Sequence, residues 1–215
     1  LRASRPIYVR GTLDWTAVAA ASPFAPDLAA ARTARMIGFV AQGLVVEAEA
    51  YAMQIARTQP ADAMLILAAV RAKQQRVDDA TELLRRGFAA AHADPWVDLA
   101  VLGEALEVAT AVAKTSPQRA RLMYDALEKP FPVLLQDTKR KYVLIAIAPL
   151  FDRCGKRALA ALHDAEPHPF WNRELLTIRA NCYALAGDVL AADAWRDLET
   201  FAGAEVGNIV TPRKR

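Results

Sequence analysis

The sequence predicts an all-α fold, a superhelical array of about five antiparallel helix hairpins, on three observations. First, 54% of the 215 residues are hydrophobic and alanine alone supplies about a fifth of the chain, so the apolar content is largely small side chains suited to close helix packing. Second, no run alternates with a period of two for long enough to build a sheet. Third, a turn candidate falls five residues before an alanine five times over: Gly43 and Ala48, Gln75 and Ala80, Thr115 and Ala120, Gly155 and Ala160, Gly187 and Ala192. The alanines are spaced 32, 40, 40 and 32 residues apart, a period that fits two helices per unit in an α-solenoid. This composition excludes a disordered chain, collagen, a disulfide scaffold and a many-stranded barrel.

From the amino terminus, Ile7–Val9 reads as extended, Gly11-Thr12 as a turn and Leu13–Ala21 as a short helix with Trp15 and Val18 on one face. Ser22-Pro23-Phe24-Ala25-Pro26 stops it, and Pro26-Asp27 opens the next helix, where proline's missing N–H costs nothing. The expected division is an N-terminal extended segment and short capping helix over 1–26, a repeat domain over 27–202 and a basic tail over 203–215. The repeat helices are expected at Asp27–Gln42 with Leu44–Thr58, Ala61–Gln74 with Val77–Ala91, Trp96–Lys114 with Pro117–Lys129, Val133–Arg153 with Lys156–Glu166, and Trp171–Ala186 with Val189–Phe201. Pro149 should kink or break the helix that contains it.

The spacing has a physical basis. Antiparallel helices joined by a tight turn approach most closely just after it, so a small residue belongs there, and glycine supplies the left-handed conformation that ends the first helix. Pro60, Pro95, Pro130 and Pro167 are expected to close successive units. The large apolar groups of Ile7–Phe24 are expected to pack near Met36 and Phe39 as the end cap that a repeat array requires.

Leu176, Ala180, Tyr183, Gly187 and Ala192 resemble a tetratricopeptide repeat: a large residue, a small one, an aromatic, a turn glycine and the small residue of the second helix. Phe39, Gly43, Ala48 and Pro60 match the same pattern, whereas the middle units depart from it, with Arg71 at the aromatic position and Gln75 and Thr115 at the glycine. The likeness covers about Asp27 to Phe201. It implies that the first helices of the hairpins line a concave partner-binding face. Asp62, Leu65, Ala69, Lys73, Tyr142, Ile145, Glu174, Thr177 and Asn181 would project there. The basic, asparagine-rich clamp with which some members of this family hold chaperone carboxylate tails is not reproduced beyond Asn181, which disfavours a co-chaperone.

No chemistry is legible. Net charge is +3, with 27 Lys and Arg against 24 acids, so bulk charge does not imply a nucleic-acid partner. The apolar stretch Tyr142–Phe151 is about half of what a bilayer requires, so no direct membrane insertion is expected. His163, Asp164, Glu166, His168 and Glu174 cluster, but Pro167 and Pro169 break the helix between them and remove the one-face geometry of helical metal ligands. Neither a phosphate loop nor a nucleophile, base and orienting group can be assembled, so no catalytic residue, cofactor or metal is expected. Cys154 and Cys182 lack metal-ligand spacing and are expected as buried free thiols in a cytoplasmic setting. A disulfide between them would instead indicate an oxidising compartment such as the periplasm.

The chain opens on Leu1 and reads as a piece of a larger, bacterial polypeptide. The expected role is a non-catalytic scaffold that binds a protein or peptide, or docks on the rest of its own chain. The alternative is an accessory helical domain of a larger, possibly membrane-linked enzyme. Trp171–Phe201 is similar to helical extensions on spermidine-synthase-like enzymes, although no aminopropyl-transfer motif lies in these residues.

Overall fold

The computed structural model describes residues 8–9, 12–13, 44–132 and 134–210, and the chain divides into two compact units, Leu1–Val108 and Ala109–Arg215. Strand β1 (Tyr8–Val9) pairs antiparallel with β2 (Thr12–Leu13), with Tyr8 opposite Leu13 and Val9 opposite Thr12. Thr12, expected in a turn, and Leu13, expected to start a helix, thus form a returning strand. Elsewhere the described chain is helical, in agreement with the expected all-α class. The rest of the Leu13–Ala21 helix, the Asp27–Gln42 helix, the packing near Met36 and Phe39, and the Gly43 turn lie outside the described residues.

In the first unit, α1 (Val45–Ile55), α2 (Pro60–Lys73) and α3 (Val77–Ala91) follow one another through short turns, and α4 (Leu99–Ala113) begins in this unit and ends in the next. Helix α2 is buried almost all round, from Ala61 through Leu65 and Ile66 to Val70, as expected of a helix flanked by two others. Pro60, expected to close a unit, is instead the first residue of α2, where its fixed φ favours the helical start.

The α2–α3 turn falls at Gln75, as expected, with glutamine in the left-handed position that glycine usually fills. Gln75 takes φ +60°, Arg76 N–H donates to the carbonyl of Arg71 and Gln75 N–H to that of Ala72. That is the hydrogen-bond pattern of a glycine-ended helix, built here on glutamine. Ala80 beyond it is fully buried. Arg71, in the aromatic position of the repeat pattern, reaches back to α1 and holds both carboxylate oxygens of Glu49.

In the second unit, α5 (Pro117–Leu127) starts with Ser116 Oγ accepting from the Arg119 N–H and Pro117 in first position. Helix α6 (Leu134–Ile147) ends just before Pro149, which opens the four-residue α7 (Pro149–Asp152), so the expected break occurs. Helices α8 (Lys156–His163), α9 (Arg173–Ala186) and α10 (Ala191–Val210) complete the unit. α10 continues past Phe201 because no proline interrupts the chain before Pro212 and Ala202 and Ala204 favour helix. Between α5 and α6, buried Arg140 donates to the carbonyls of Leu127 and Glu128 and pairs with Asp137, whose carboxylate also accepts the Phe131 N–H at 3.3 Å.

Two details of the turn reading require correction. Gly155 is not left-handed. Arg153 carries the positive angle, with φ 53° and ψ −117°, and Gly155 N–H donates to the Asp152 carbonyl at 2.9 Å. These values are the mirror image of the first central residue of a type II turn, a site that glycine usually fills. Gly155 serves a different need: a Cβ there would lie 2.7 Å from Oδ1 of Asp152, whose carboxylate caps α8 by accepting from the N–H groups of Arg157 and Ala158. The alanine register also slips in the last two units. Ala48, Ala80 and Ala120 are fully buried, but Ala160 and Ala192 are exposed, and Ala158, Ala161 and Ala194 take the inner positions. The tight Asp152–Gly155 turn and the residues Asp188–Leu190 set where α8 and α10 begin, and this rotates the inward face away from the expected alanine.

Candidate binding surface

The second unit holds most of the expected site residues, and α9 positions them. Asn172 caps this helix by accepting from the N–H groups of Glu174 and Leu175 at 2.9 and 3.3 Å. Gly187 closes it at φ +65°, with the Asp188 N–H donating to the Tyr183 carbonyl. Leu175, Leu176, Arg179, Ala180, Cys182 and Tyr183 form its buried face. Glu174, Asn181 and Leu185 are exposed on the other, with Thr177 half-buried among them and its hydroxyl bonded to the Arg173 carbonyl.

Behind α9 is a polar network that sequence reasoning missed. Arg179, only 4% exposed, donates from Nε to Glu166 at 2.7 Å and from Nη1 to Asp197 of α10 at 2.8 Å, and its guanidinium lies 5.5 Å from the centre of the Tyr183 ring. Burial works against the charge on Arg179, but the hydrogen bonds to Glu166 and Asp197 outweigh it and raise the guanidinium above its ordinary value. Tyr183 donates its hydroxyl to the same Glu166 oxygen at 3.1 Å. Burial, with Glu166 added, pushes the Tyr183 phenol well above its ordinary range, so it remains a neutral donor. The sequence signal for Arg179 was its position on the apolar 175–176–179–180–183 face, where an arginine must find carboxylates.

Three members of the acidic and histidine cluster have partners of their own. His163 Nε2 lies 2.9 Å from Asp188, Lys141 pairs with Asp164, and Glu166 is taken by Arg179 and Tyr183. The Leu190 N–H, followed by His163, lowers the Asp188 carboxyl below its usual range. Among the described residues no group of three or more His, Cys, Asp or Glu is arranged to hold a metal ion.

An apolar cleft runs beside the network, lined by Ile145, Leu162, Phe170, Leu175, Leu176 and the stem of Arg179. It leaves about 10 Å³, room for one water and not for a ligand. Ile145 is therefore spent on packing, and Tyr142 stands edge-on to Phe170 at the rim with 5.9 Å between ring centres. In the first unit, Asp62, Leu65 and Ala69 are buried and only Lys73 is exposed. Asp62 accepts the backbone N–H of Asp98 and so fixes the entry to α4, while Asp98 caps that helix through the N–H groups of Ala100 and Val101. Of the expected row, Glu174 and Asn181 are exposed and Thr177 and Tyr142 half-exposed in the second unit, and Lys73 is exposed in the first.

The cysteines expected as free thiols are joined. Cys154, beside the α7–α8 turn, is bonded to Cys182 on the buried face of α9, and their Cα atoms are 4.8 Å apart. A core large enough to fold without a covalent link is no argument against one when the turn brings the two side chains together. Closing a loop across a separation of 28 residues stabilises by about 3–4 kcal/mol in the chain-entropy picture.

The chain matches no protein-family model, no curated protein and no solved structure. Among the described residues no helix is long and apolar enough to cross a membrane.

Proposed function

We propose that the chain is a non-catalytic, tetratricopeptide-like helical scaffold that binds a protein or peptide partner on the outer face of α9. The observation that carries this reading is the set of large apolar side chains left in water on the α9–α10 hairpin: Leu185 is 79% exposed, Val189 92% and Trp171 55%, next to Glu174, Thr177 and Asn181. Exposed apolar groups with a polar surround suit a protein contact, and tryptophan is among the residues most able to anchor one. The buried charges of this unit are satisfied by one another, which supports a structural rather than a catalytic use for them.

A photo-reactive amino acid at Asn181, with a control at exposed Arg86, tests the proposal in cells that express the protein. The expected result is a discrete protein adduct from position 181 that is lost in the Leu185→Asp and Trp171→Ala variants. Equal labelling from both positions, or none, would reject the α9 surface as the docking site.

A further inference from the structure

We propose that the Cys154–Cys182 bond is a reducible clasp that holds the α7–α8 turn in an otherwise unfavoured backbone conformation, so that a dithiol reductant loosens the start of α8. Three observations meet at this turn. Arg153 adopts φ 53° and ψ −117°, which an L side chain disfavours and which persists only where its surroundings fix it. Those surroundings are the Gly155 N–H on the Asp152 carbonyl, the Asp152 carboxylate on the N–H groups of Arg157 and Ala158, and the covalent tie from Cys154 to Cys182 in the second half of α9. The two cysteines also differ in exposure, since Cys154 is half-buried and Cys182 is 1% exposed.

The exchange follows from that asymmetry. A thiolate of the dithiol attacks Sγ of Cys154, the S–S bond breaks, and Cys182 leaves as a thiolate that takes up a proton. The second thiol of the reductant then attacks its own sulfur in the mixed disulfide and releases Cys154. Two electrons pass from the dithiol, which becomes a disulfide, to the protein, which gains two thiols. With the tie gone, the Asp152 cap and the Gly155 N–H bond to the Asp152 carbonyl are left to hold Arg153, and the turn relaxes while the α9 network of Arg179, Glu166 and Asp197 stays intact.

The full chain is treated with dithiothreitol under native conditions. Thiols are then counted by alkylation and intact mass, and backbone opening is read by hydrogen exchange. The expected result is no alkylation before treatment and two alkylated cysteines after it, with the helical circular dichroism retained. Exchange of amides 152–158 should then be at least about tenfold faster, with α9 unchanged. Arg153→Gly should abolish most of that difference, because glycine accepts the turn without the tie. A bond that resists reduction until the protein unfolds, free thiols in the isolated protein, or exchange unaltered by reduction would each overturn the clasp. The Cys154→Ser/Cys182→Ser double variant should reproduce the reduced pattern, and a double variant that exchanges like the oxidised protein would also overturn it.

Discussion

A Cβ placed on Gly87 of α3 would lie 2.5 Å from Cδ2 and 2.9 Å from Cγ of Leu65 on α2. Leu65 is 1% exposed, so it is part of a close helix contact and not a group open to a partner. Alanine at position 87 would gain about 0.5–1 kcal/mol of helix propensity but lose about 1–3 kcal/mol to overpacking. We expect Gly87→Ala to lower stability by about 0.5–2 kcal/mol in thermal or urea unfolding. A neutral or stabilised variant would show that the two helices separate easily.

The paired turns at Gln75 and Gly187 predict opposite responses. Glutamine at φ +60° bears the cost of a left-handed conformation, whereas glycine at φ +65° does not. Gln75→Gly should stabilise by about 0.5–1 kcal/mol, and Gly187→Val should cost about 1–2 kcal/mol. No atom lies within 4 Å of a Cβ built on Gly187, so the penalty there is purely conformational and Gly187→Asn should recover most of it. Melting temperatures of the three variants check the assignment.

Asp62 predicts a pH dependence. Burial raises its carboxyl from 3.8 to about 6, partly opposed by the Asp98 N–H and reinforced by the charges of Asp98 and Asp94. Because the folded-state value lies above the unfolded one, its contribution to stability is fully present below pH 3.8 and is lost as pH rises through about 6. Solvent screening holds the loss to at most about 3 kcal/mol. Asp62→Asn keeps the acceptor for the Asp98 N–H without the charge. Its unfolding free energy should stay flatter than that of the parent chain between pH 4 and 7. Parallel profiles would place the titration elsewhere.

Arg179 and Arg196 separate a buried charge from a surface one. Replacing Arg179 with methionine leaves Glu166 and Asp197 without their shared partner and should cost about 2–4 kcal/mol. Arg196 and Asp193 are both well exposed, and Arg196→Ala should change stability by less than about 0.5 kcal/mol. Chemical denaturation of the two variants side by side distinguishes the cases.

Where the fold was legible, the signals were local. Val77–Ala91 was bounded correctly because Gln75-Arg76 precedes it and acids occupy its first turn. Pro149 marked a real break, and Pro117 a real start. What was not legible depended on tertiary geometry. Arg153 takes the positive φ that Gly155 was expected to supply, and the glycine two residues later clears the Asp152 carboxylate instead. Ala194 and not Ala192 faces inward, because a few residues of connection rotate a whole helix. The site row fared unevenly for the same reason. Periodicity identifies the residues that share a helix face, but the neighbouring helices decide whether that face is buried, as with Asp62 and Leu65, or exposed, as with Glu174 and Asn181.

The brace formed by Arg140 and Asp137 bears on the order of folding. Its bonds to Leu127, Glu128 and Phe131 span separations of only 13, 12 and 6 residues, against 28 for the cysteine bond. Short loops close at little entropic cost and within about 10–100 ns, so the end of α5 and the start of α6 can find each other long before distant segments meet. We expect the α5–α6 hairpin to form before α8 and α9 pack and before the sulfurs are joined. Removing Arg140 should therefore slow refolding more than it speeds unfolding, while loss of the cysteine bond should do the reverse.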